Sequence, residues 1–468
     1  MHRLSPLDTL FLRLERRHAP FHVGALSLFR PPESAPRDFG AQLVRRLNQS
    51  SRVAAPFDRR LVTRLGMDYW VRDENFDLAH HFVHLALPKP GRVDQLPAMV
   101  SHVHGLPLDR SRPLWRTYLI EGLEDGRIAT YSKIHHAVVD GVAGIRLMLK
   151  AMSPDPQVSM TMPPPWQLMS SQAQVPALVP EVTGGVRGFA AQGLNLAPAV
   201  FQQLKQSFRD FRASNPDFVS AFQAPTALFN QPISAERRFA VRSYSTARIK
   251  AIAAGLGGTC NDVVLALCAA ALRRYLIQRR ALPPRPLIAA VPVSLRPEGS
   301  TTAGNEIAGA LVNLGTDIAD PLQRFGTIKR SMDYNKTRFR QMTPAQRLAY
   351  SAAMLAPGLL TLLPGVQRRI ANIVISHVPG PRQPLYWQGC RLEGIYPASL
   401  LLDGFGLNIT LISRHDTLDF GLLACPQAVP QMPRLLDFLD AALTELEYLA
   451  LTQAAPFCPG PPDVLRCA

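Results

Sequence analysis

A proline-rich break divides the chain into two stretches that pattern alike, and this division limits the fold more than any other feature. After about Ala151 the sequence runs Ser153-Pro154-Asp155-Pro156 and then Pro163-Pro164-Pro165-Trp166, too dense in proline to continue a helix or a strand. Before the break, Val23 to Phe29 reads as a strand and Phe39 to Leu47 as an amphipathic helix. Arg116 to Glu121 and Arg127 to Lys133 read as two strands joined by the turn Glu124-Asp125-Gly126, which is hairpin chemistry and implies a mixed sheet. Beyond the break, Val186 to Phe211 has the pattern of a connecting helix. A second α/β pattern then starts near Phe239. It runs through a helix over Asn261 to Arg279, a strand over Leu287 to Val293, a helix from Pro321 to about Gln341, a strand over Asn372 to Val378, and a paired Gly406 to Ser413 and Thr417 to Ala424. The expected organisation is α/β with an N-terminal domain over 1–155, a linker with a connecting helix over 156–235 and a C-terminal domain over 236–468. No sequence motif repeats between the halves, so any duplication is structural only.

Composition narrows the partners. The 468 residues carry 51 Lys+Arg against 35 Asp+Glu, a net charge of +16, yet only 18% are charged and 47% are apolar. That balance excludes a disordered polyelectrolyte and supplies a sizeable core. A basic excess points to nucleic acid, an anionic surface or a polyanionic ligand. Without a run of five basic residues, a zinc-finger spacing or an aromatic-basic signature, nucleic acid is not expected. The six cysteines all lie in the second half and form no C-x-x-C pair, which argues against a zinc site and a disulfide framework and fits a reducing cytoplasm. The residues after Met1 contain no apolar stretch of signal-peptide length, so export is not expected. Leu348 to Pro364 is uncharged but short of the roughly 20 residues of a spanning helix and interrupted by Pro357-Gly358; it reads as a buried or interfacial helix pair.

The most informative local motif is His135-His136-Ala137-Val138-Val139-Asp140-Gly141, directly after the strand ending at Lys133. Such a match arises by chance on the order of once in a thousand chains of this length. A neutral imidazole at a strand end facing a cleft can take a proton from an attacking hydroxyl near pH 7. Asp140 is expected to be buried and to hold the turn against a nearby cation, and Gly141 to permit the tight turn into the following helix. The second pair, His80-His81 with His84, lacks the following Asp-Gly and reads as structural. No carboxylate or cysteine cluster completes a metal ligand set around the motif, so no metal is expected.

These residues, with several others in order along the chain, resemble the bacterial wax ester synthase/diacylglycerol acyltransferase family of the coenzyme-A-dependent acyltransferase superfamily. The likeness lies in Leu4-Ser5-Pro6-Leu7-Asp8-Thr9-Leu10-Phe11-Leu12, Phe21-His22-Val23-Gly24-Ala25-Leu26, Leu108 to Trp115 with its Pro113-Leu114-Trp115, and His135 to Gly141. It continues in Asn261-Asp262, Gly304-Asn305, Ser376-His377-Val378-Pro379-Gly380-Pro381 and Gly406 to Thr410. The resemblance implies two chloramphenicol-acetyltransferase-like domains, each a mixed sheet with flanking helices, and an active-site tunnel at their interface. It implies His136 as catalytic base, His135 as its positioning neighbour, Asp140 as a structural partner, and Pro113, Leu114, Trp115 and Ser376 as substrate-binding positions. Asn261, beside Asp262, becomes the oxyanion donor, against the alternative that it is simply a helix N-cap. The substrates implied are a fatty acyl-CoA, with no cofactor, and a long-chain alcohol or diacylglycerol. One departure stands out: the family usually has Asn where this chain has His377.

Charge adds a surface. From Arg237 to Arg285 there are 10 Arg/Lys against one acid, Asp262, a patch suited to coenzyme A phosphates or anionic headgroups. The helix after Pro321 interleaves Arg324, Lys329, Arg330, Lys336, Arg338 and Arg340 with Phe325, Ile328, Met332 and Phe339, a cationic amphipathic pattern suggesting peripheral attachment to the inner membrane or lipid inclusions. The expected function is therefore a cytoplasmic, membrane-associated O-acyltransferase. The alternatives are a condensation-type amide-forming enzyme and a non-catalytic lipid-inclusion surface protein; the latter has no need of the histidine pair.

Overall fold

The computed structural model describes residues 1–49, 52–139, 141–168, 217–220, 222–294, 307–343 and 369–454, together with 209, 215, 346, 347 and 350. The strands are β1 (His2–Arg3), β2 (His22–Arg30), β3 (Arg59–Arg64), β4 (Met67–Arg72), β5 (Phe82–Ala86), β6 (Trp115–Glu121), β7 (Ile128–His135), β8 (Arg238–Ser245), β9 (Ile288–Ser294), β10 (Ile307–Asn313), β11 (Ile373–Pro379), β12 (Tyr386–Trp387), β13 (Cys390–Ala398), β14 (Leu407–Arg414) and β15 (Thr417–Ala424). The helices are α1 (Pro6–Leu14), α2 (Phe39–Asn48), α3 (Leu78–His81), α4 (Gln95–Gly105), α5 (Gly141–Lys150), α6 (Pro156–Thr161), α7 (Pro165–Leu168), α8 (Thr246–Gly255), α9 (Cys260–Gln278), α10 (Pro321–Arg340) and α11 (Arg434–Ala454). The expected connecting helix over Val186 to Phe211, the Gly304-Asn305 pair and most of Leu348 to Pro364 lie outside the described residues, as does Asp140.

Two six-stranded mixed sheets form the two lobes, one ordered β12-β13-β2-β7-β6-β5 and the other β10-β9-β11-β14-β15-β8. The hairpin β6–β7 is antiparallel as its acidic turn requires, with Gly126 at φ +75°. The lobes are not contiguous in sequence. β13 hydrogen-bonds along β2 from Arg391↔Arg30 to Ala398↔Gly24, with a bulge between Leu392 and Gly394, so a segment after residue 236 completes the N-terminal sheet. The proline-rich stretch also stays with that lobe: Trp166 of α7 stacks on Trp115 with ring centroids 5.6 Å apart.

The lobes meet along α4 and β8. Phe239 N–H donates to Ser101 Oγ (2.8 Å), Arg237 Nη2 donates to His18 O (2.7 Å), and His18 Nε2 stands 3.3 Å from Asp403 Oδ2. At the crossing strand, buried Asp419 accepts from the Ile395 N–H (3.0 Å), Ser243 Oγ (2.7 Å) and Arg414 Nε (3.0 Å), tying β13 to the second sheet. Behind that sheet α9 is buried from Asp262 to Leu272, because Val, Leu and Ala occupy every face of those turns and it packs between α10, α11 and the strands.

Candidate active site

The histidine pair is built from four segments. Ser5 caps α1, accepting from Asp8 N–H (3.1 Å), with Pro6 at the first helical position. That helix projects Phe11 and, just past its end, Glu15. The end of β7 is held from both sides: His135 N–H donates to Leu114 O (2.9 Å) and His136 N–H to Phe21 O (2.8 Å). The His136 ring lies edge-on to Phe11 with centroids 5.1 Å apart and is half-buried, while His135 is 1% exposed.

The bonds around His135 fix its tautomer. Its Nδ1 accepts from the Ala137 N–H (3.1 Å), so the hydrogen of the neutral ring sits on Nε2. Nε2 faces Glu15 Oε1 at 3.5 Å, close enough for a strong electrostatic contact though longer than a hydrogen bond. Glu15 in turn accepts from Phe21 N–H (3.0 Å) and from Arg110 Nη2 (2.7 Å) and Nε (3.1 Å). Burial opposes its ionisation, but His135, the Phe21 amide and Arg110 outweigh it and hold the carboxyl at about 2. Arg110 and Leu114 both belong to the Leu108–Trp115 motif, so that motif supports the histidine turn through a guanidinium and a carbonyl. Sequence reasoning missed Glu15 and Arg110. Their signal was a basic residue inside a motif and a carboxylate just past a capped helix, which are common in isolation.

Beneath the pair runs a second polar row that the sequence did not reveal. On β7 the side chains of Tyr131, Lys133 and His135 share one face, and His22 of β2 pairs with His135. His22 Nε2 lies 2.7 Å from His104 O, and Lys133 Nζ donates to Val103 O (2.7 Å) and Leu106 O (2.6 Å), so two side chains of the sheet satisfy the carbonyl end of α4. His104 Nδ1 meets Tyr131 Oη at 2.5 Å. Burial drives the His104 imidazole down to about 3 and the Lys133 amine down to about 7. Gly24 is required here, since a Cβ would stand 2.6 Å from Tyr131 Oη and Ser132 O.

The other expected residues divide into three groups. Leu114 joins the site through its carbonyl. Trp115 is buried, its indole N–H donates to Phe57 O (2.9 Å) and its ring stacks on His81 (centroids 4.7 Å apart), and Pro113 is buried beside it. Both positions are packed into the core of the N-terminal lobe. Gly141 is the first residue of α5, with no left-handed φ and, beyond its own helix and chain neighbours, no described atom within 4 Å of a built Cβ, so its backbone does not call for glycine. His81, Nδ1 2.8 Å from Trp115 O, is structural as expected.

Asn261, Asp262 and Ser376 sit on the other lobe, the first two on α9 and the third on β11. Thr259, not Asn261, caps α9. It accepts from Asp262 N–H (3.3 Å), while Asp262 Oδ2 accepts from Thr259 N–H (2.8 Å) and Oγ1 (2.7 Å), a reciprocal capping box. The remaining Asp262 oxygen lies 3.8 Å from Lys336 Nζ. Asn261 is left half-buried on the first turn, with no side-chain partner among the described residues. His377 lies within β11, its Nε2 2.6 Å from Ser413 Oγ, and burial holds its imidazole at about 4.

Two charge readings change. Phe325, Ile328, Met332 and Phe339 of α10 are all buried in the core, and Arg324 and Arg338 are buried with them, so this helix offers no apolar face to a membrane. Three of the ten basic residues in the Arg237–Arg285 patch are paired by α11: Arg248 with Glu447 (2.6 Å), Arg242 with Asp440 (3.0 Å) and Arg274 with Glu445 (3.0 Å).

The comparisons with known proteins agree with the motif order. The wax ester synthase/diacylglycerol acyltransferase catalytic domain matches residues 4–264, and the C-terminal domain of the same family matches residues 303–447. A protein named O-acyltransferase WSD from Acinetobacter baylyi is 45% identical over 455 residues, 96% of this chain and 97% of that one. A probable diacylglycerol O-acyltransferase, tgs2, from Mycobacterium tuberculosis is 40% identical over 96% of this chain and 99% of its own length. Among solved structures, a wax ester synthase/diacylglycerol acyltransferase from Marinobacter aquaeolei VT8 superposes with a TM-score of 0.79 at 41% identity, covering 96% of this chain and all of that one. The first condensation domain of the calcium-dependent antibiotic synthetase superposes at 0.58 with 18% identity over 97% of each chain, which shows the two-lobed fold alone.

Proposed function

Because the chain belongs to the wax ester synthase/diacylglycerol acyltransferase family, we propose that it transfers a fatty acyl group from acyl-CoA to the hydroxyl of a long-chain alcohol or diacylglycerol, with His136 as general base. The observation that carries this reading is a half-buried imidazole, its backbone fixed to Phe21 O, beside a buried histidine of fixed tautomer and an ionised carboxylate. His136 removes the hydroxyl proton as the oxygen attacks the thioester carbonyl. The C–O bond forms, the tetrahedral intermediate collapses with cleavage of the C–S bond, and the imidazolium returns the proton to the coenzyme A thiolate. No acyl-enzyme is needed. Asn261 serves as oxyanion donor, supported by its place on the first turn of α9, where its amide has no side-chain partner among the described residues. The protein works peripherally attached at the cytoplasmic side of the inner membrane or on lipid inclusions, where such acceptors partition; among the described residues no single helix is long and apolar enough to cross a membrane.

Thiol release from palmitoyl-CoA with hexadecanol, dioleoylglycerol or a long-chain amine as acceptor tests the reading. His136→Ala should lower kcat about 10²–10⁴-fold, and Asn261→Ala about 10²–10³-fold. Equal turnover by wild type and His136→Ala would remove the base assignment, and preference for the amine would favour the condensation-type alternative.

A further inference from the structure

With the apolar face of α10 committed to the core, the surface that meets lipid must be sought elsewhere. The small sheet β1-β4-β3 supplies one. Its inner face carries Leu61 and Trp70, which pack with Leu4, Leu12, Leu114, Ala137 and Val138 directly against the histidine motif. Strand alternation then turns Arg3, Val62, Arg64, Met67 and Tyr69 outward, since Arg3 pairs with Tyr69, Val62 with Tyr69 and Arg64 with Met67. The one acid in these strands, Asp68, is buried on the inner side and accepts from Thr63 Oγ1 (2.7 Å); on the outer face Arg60 stands 3.8 Å from Asp73, and Arg3 and Arg64 flank Tyr69 and Met67 to make the rest of that face basic and aromatic. Arg13 adds a further, largely exposed cation at the tip, donating from Nη2 to Gly66 O (3.1 Å) with Asp68 Oδ2 3.9 Å away.

The hairpin tip is the decisive feature. Leu65 adopts φ +50° and Gly66 φ +74°, the paired left-handed geometry of a turn that favours Asn-Gly. A leucine there is strained in its backbone and 98% exposed in its side chain, so it contributes neither conformational preference nor burial to this fold. Met67 beside it is 37% exposed. A large apolar side chain at a strained tip, ringed by arginines, has the chemistry of a wedge for an anionic bilayer, with Tyr69 at interfacial depth.

We propose that the β3–β4 hairpin docks on an anionic phospholipid surface, with Leu65 inserted among the acyl chains and Arg3, Arg13 and Arg64 at the headgroups, so that the opposite face of the same sheet holds the histidine turn next to the lipid phase. This rests on the reading that the acceptor is a membrane-partitioned lipid. The test is flotation of the full chain with vesicles of phosphatidylcholine and phosphatidylglycerol at low salt. The double variant Arg64→Glu/Leu65→Asn should lower the bound fraction at least tenfold without lowering the melting temperature, because Asn-Gly suits the turn. Lys329→Glu/Arg330→Glu on α10 should float like wild type. A hairpin variant that floats like wild type overturns the docking site while leaving peripheral attachment standing, as does loss of binding in the α10 variant alone. Wild type that never floats with these vesicles removes attachment itself, and the docking proposal with it.

Discussion

Both lobes place a histidine on a central strand and hold a carboxylate at a helix end, yet only the N-terminal lobe brings the two together. At the end of β7, His135 has a backbone donor at Nδ1 and Glu15 at 3.5 Å from Nε2, and the next residue, His136, opens toward solvent. On β11, His377 meets only the Ser413 hydroxyl and has no carboxylate within 4 Å among the described residues, while Asp262 is spent on the cap of α9 and on Lys336. Residue type does not make a site here. A carboxylate adjoining an imidazole orients it, whereas the same carboxylate folded back on amides holds a helix end.

Removing the Glu15 charge should break the comparison most strongly. A carboxyl held at about 2 in the folded chain against an ordinary 4.5 contributes on the order of 3 kcal/mol to stability at neutral pH. The sign follows from the depressed value: the contribution is complete above about pH 5 and is lost as pH falls toward 2. Glu15→Gln should therefore unfold in less urea than wild type at pH 7, with the gap narrowing steadily below pH 5. Glu15 also holds the His135 ring in place through Nε2, so the variant should lower kcat with little change in KM. A variant that unfolds earlier with kcat per folded molecule unchanged would reduce Glu15 to a packing residue.

Asp262→Ala probes the other carboxylate and should give a stability effect without a catalytic one. It removes one half of a capping box and leaves the Thr259 amide without its partner, while Lys336 keeps Asp333 at 3.8 Å, a loss of about 1–3 kcal/mol in urea unfolding. At temperatures where the variant stays folded, its kcat per folded molecule should match wild type. A large drop in kcat for the folded variant would place Asp262 in the chemistry alongside Asn261.

The sequence made legible what local pattern controls. The helix over Asn261 to Arg279 lies within one residue of α9, and the acidic turn before Arg127 gave the β6–β7 hairpin because both are decided by nearest neighbours. β13 was not legible: Gly394 and Pro397 interrupt its pattern, and its partner β2 lies more than 360 residues earlier. The arginines of 237–285 read as a free patch because their counter-charges, Asp440, Glu445 and Glu447, arrive only in α11. For α10 the periodicity was visible and the environment was not, since a cationic amphipathic helix reads the same whether its apolar face meets a bilayer or α9 and β10. In the site itself the histidine pair was plain, while Glu15, Arg110 and Lys133 matter only through contacts that strand pairing and helix docking create.

The smallest effect should come from giving His377 the family's asparagine. Its imidazole is held neutral at about 4 by burial, below the ordinary 6.5, so the unfolded chain takes up a proton first and this residue costs stability as pH falls from about 6.5 toward 4. At neutral pH that penalty is absent, and the substitution forfeits one hydrogen bond to the half-buried Ser413, less than about 1 kcal/mol. His377→Asn should thus leave kcat and KM within about twofold of wild type at pH 7.5, and its midpoint in urea nearly unchanged. At pH 5 it should be the more stable protein, because Asn has no proton to gain. A tenfold change in KM for the acyl acceptor at pH 7.5 would instead put the side chain in contact with substrate, and the two strand histidines would then differ in degree rather than in kind.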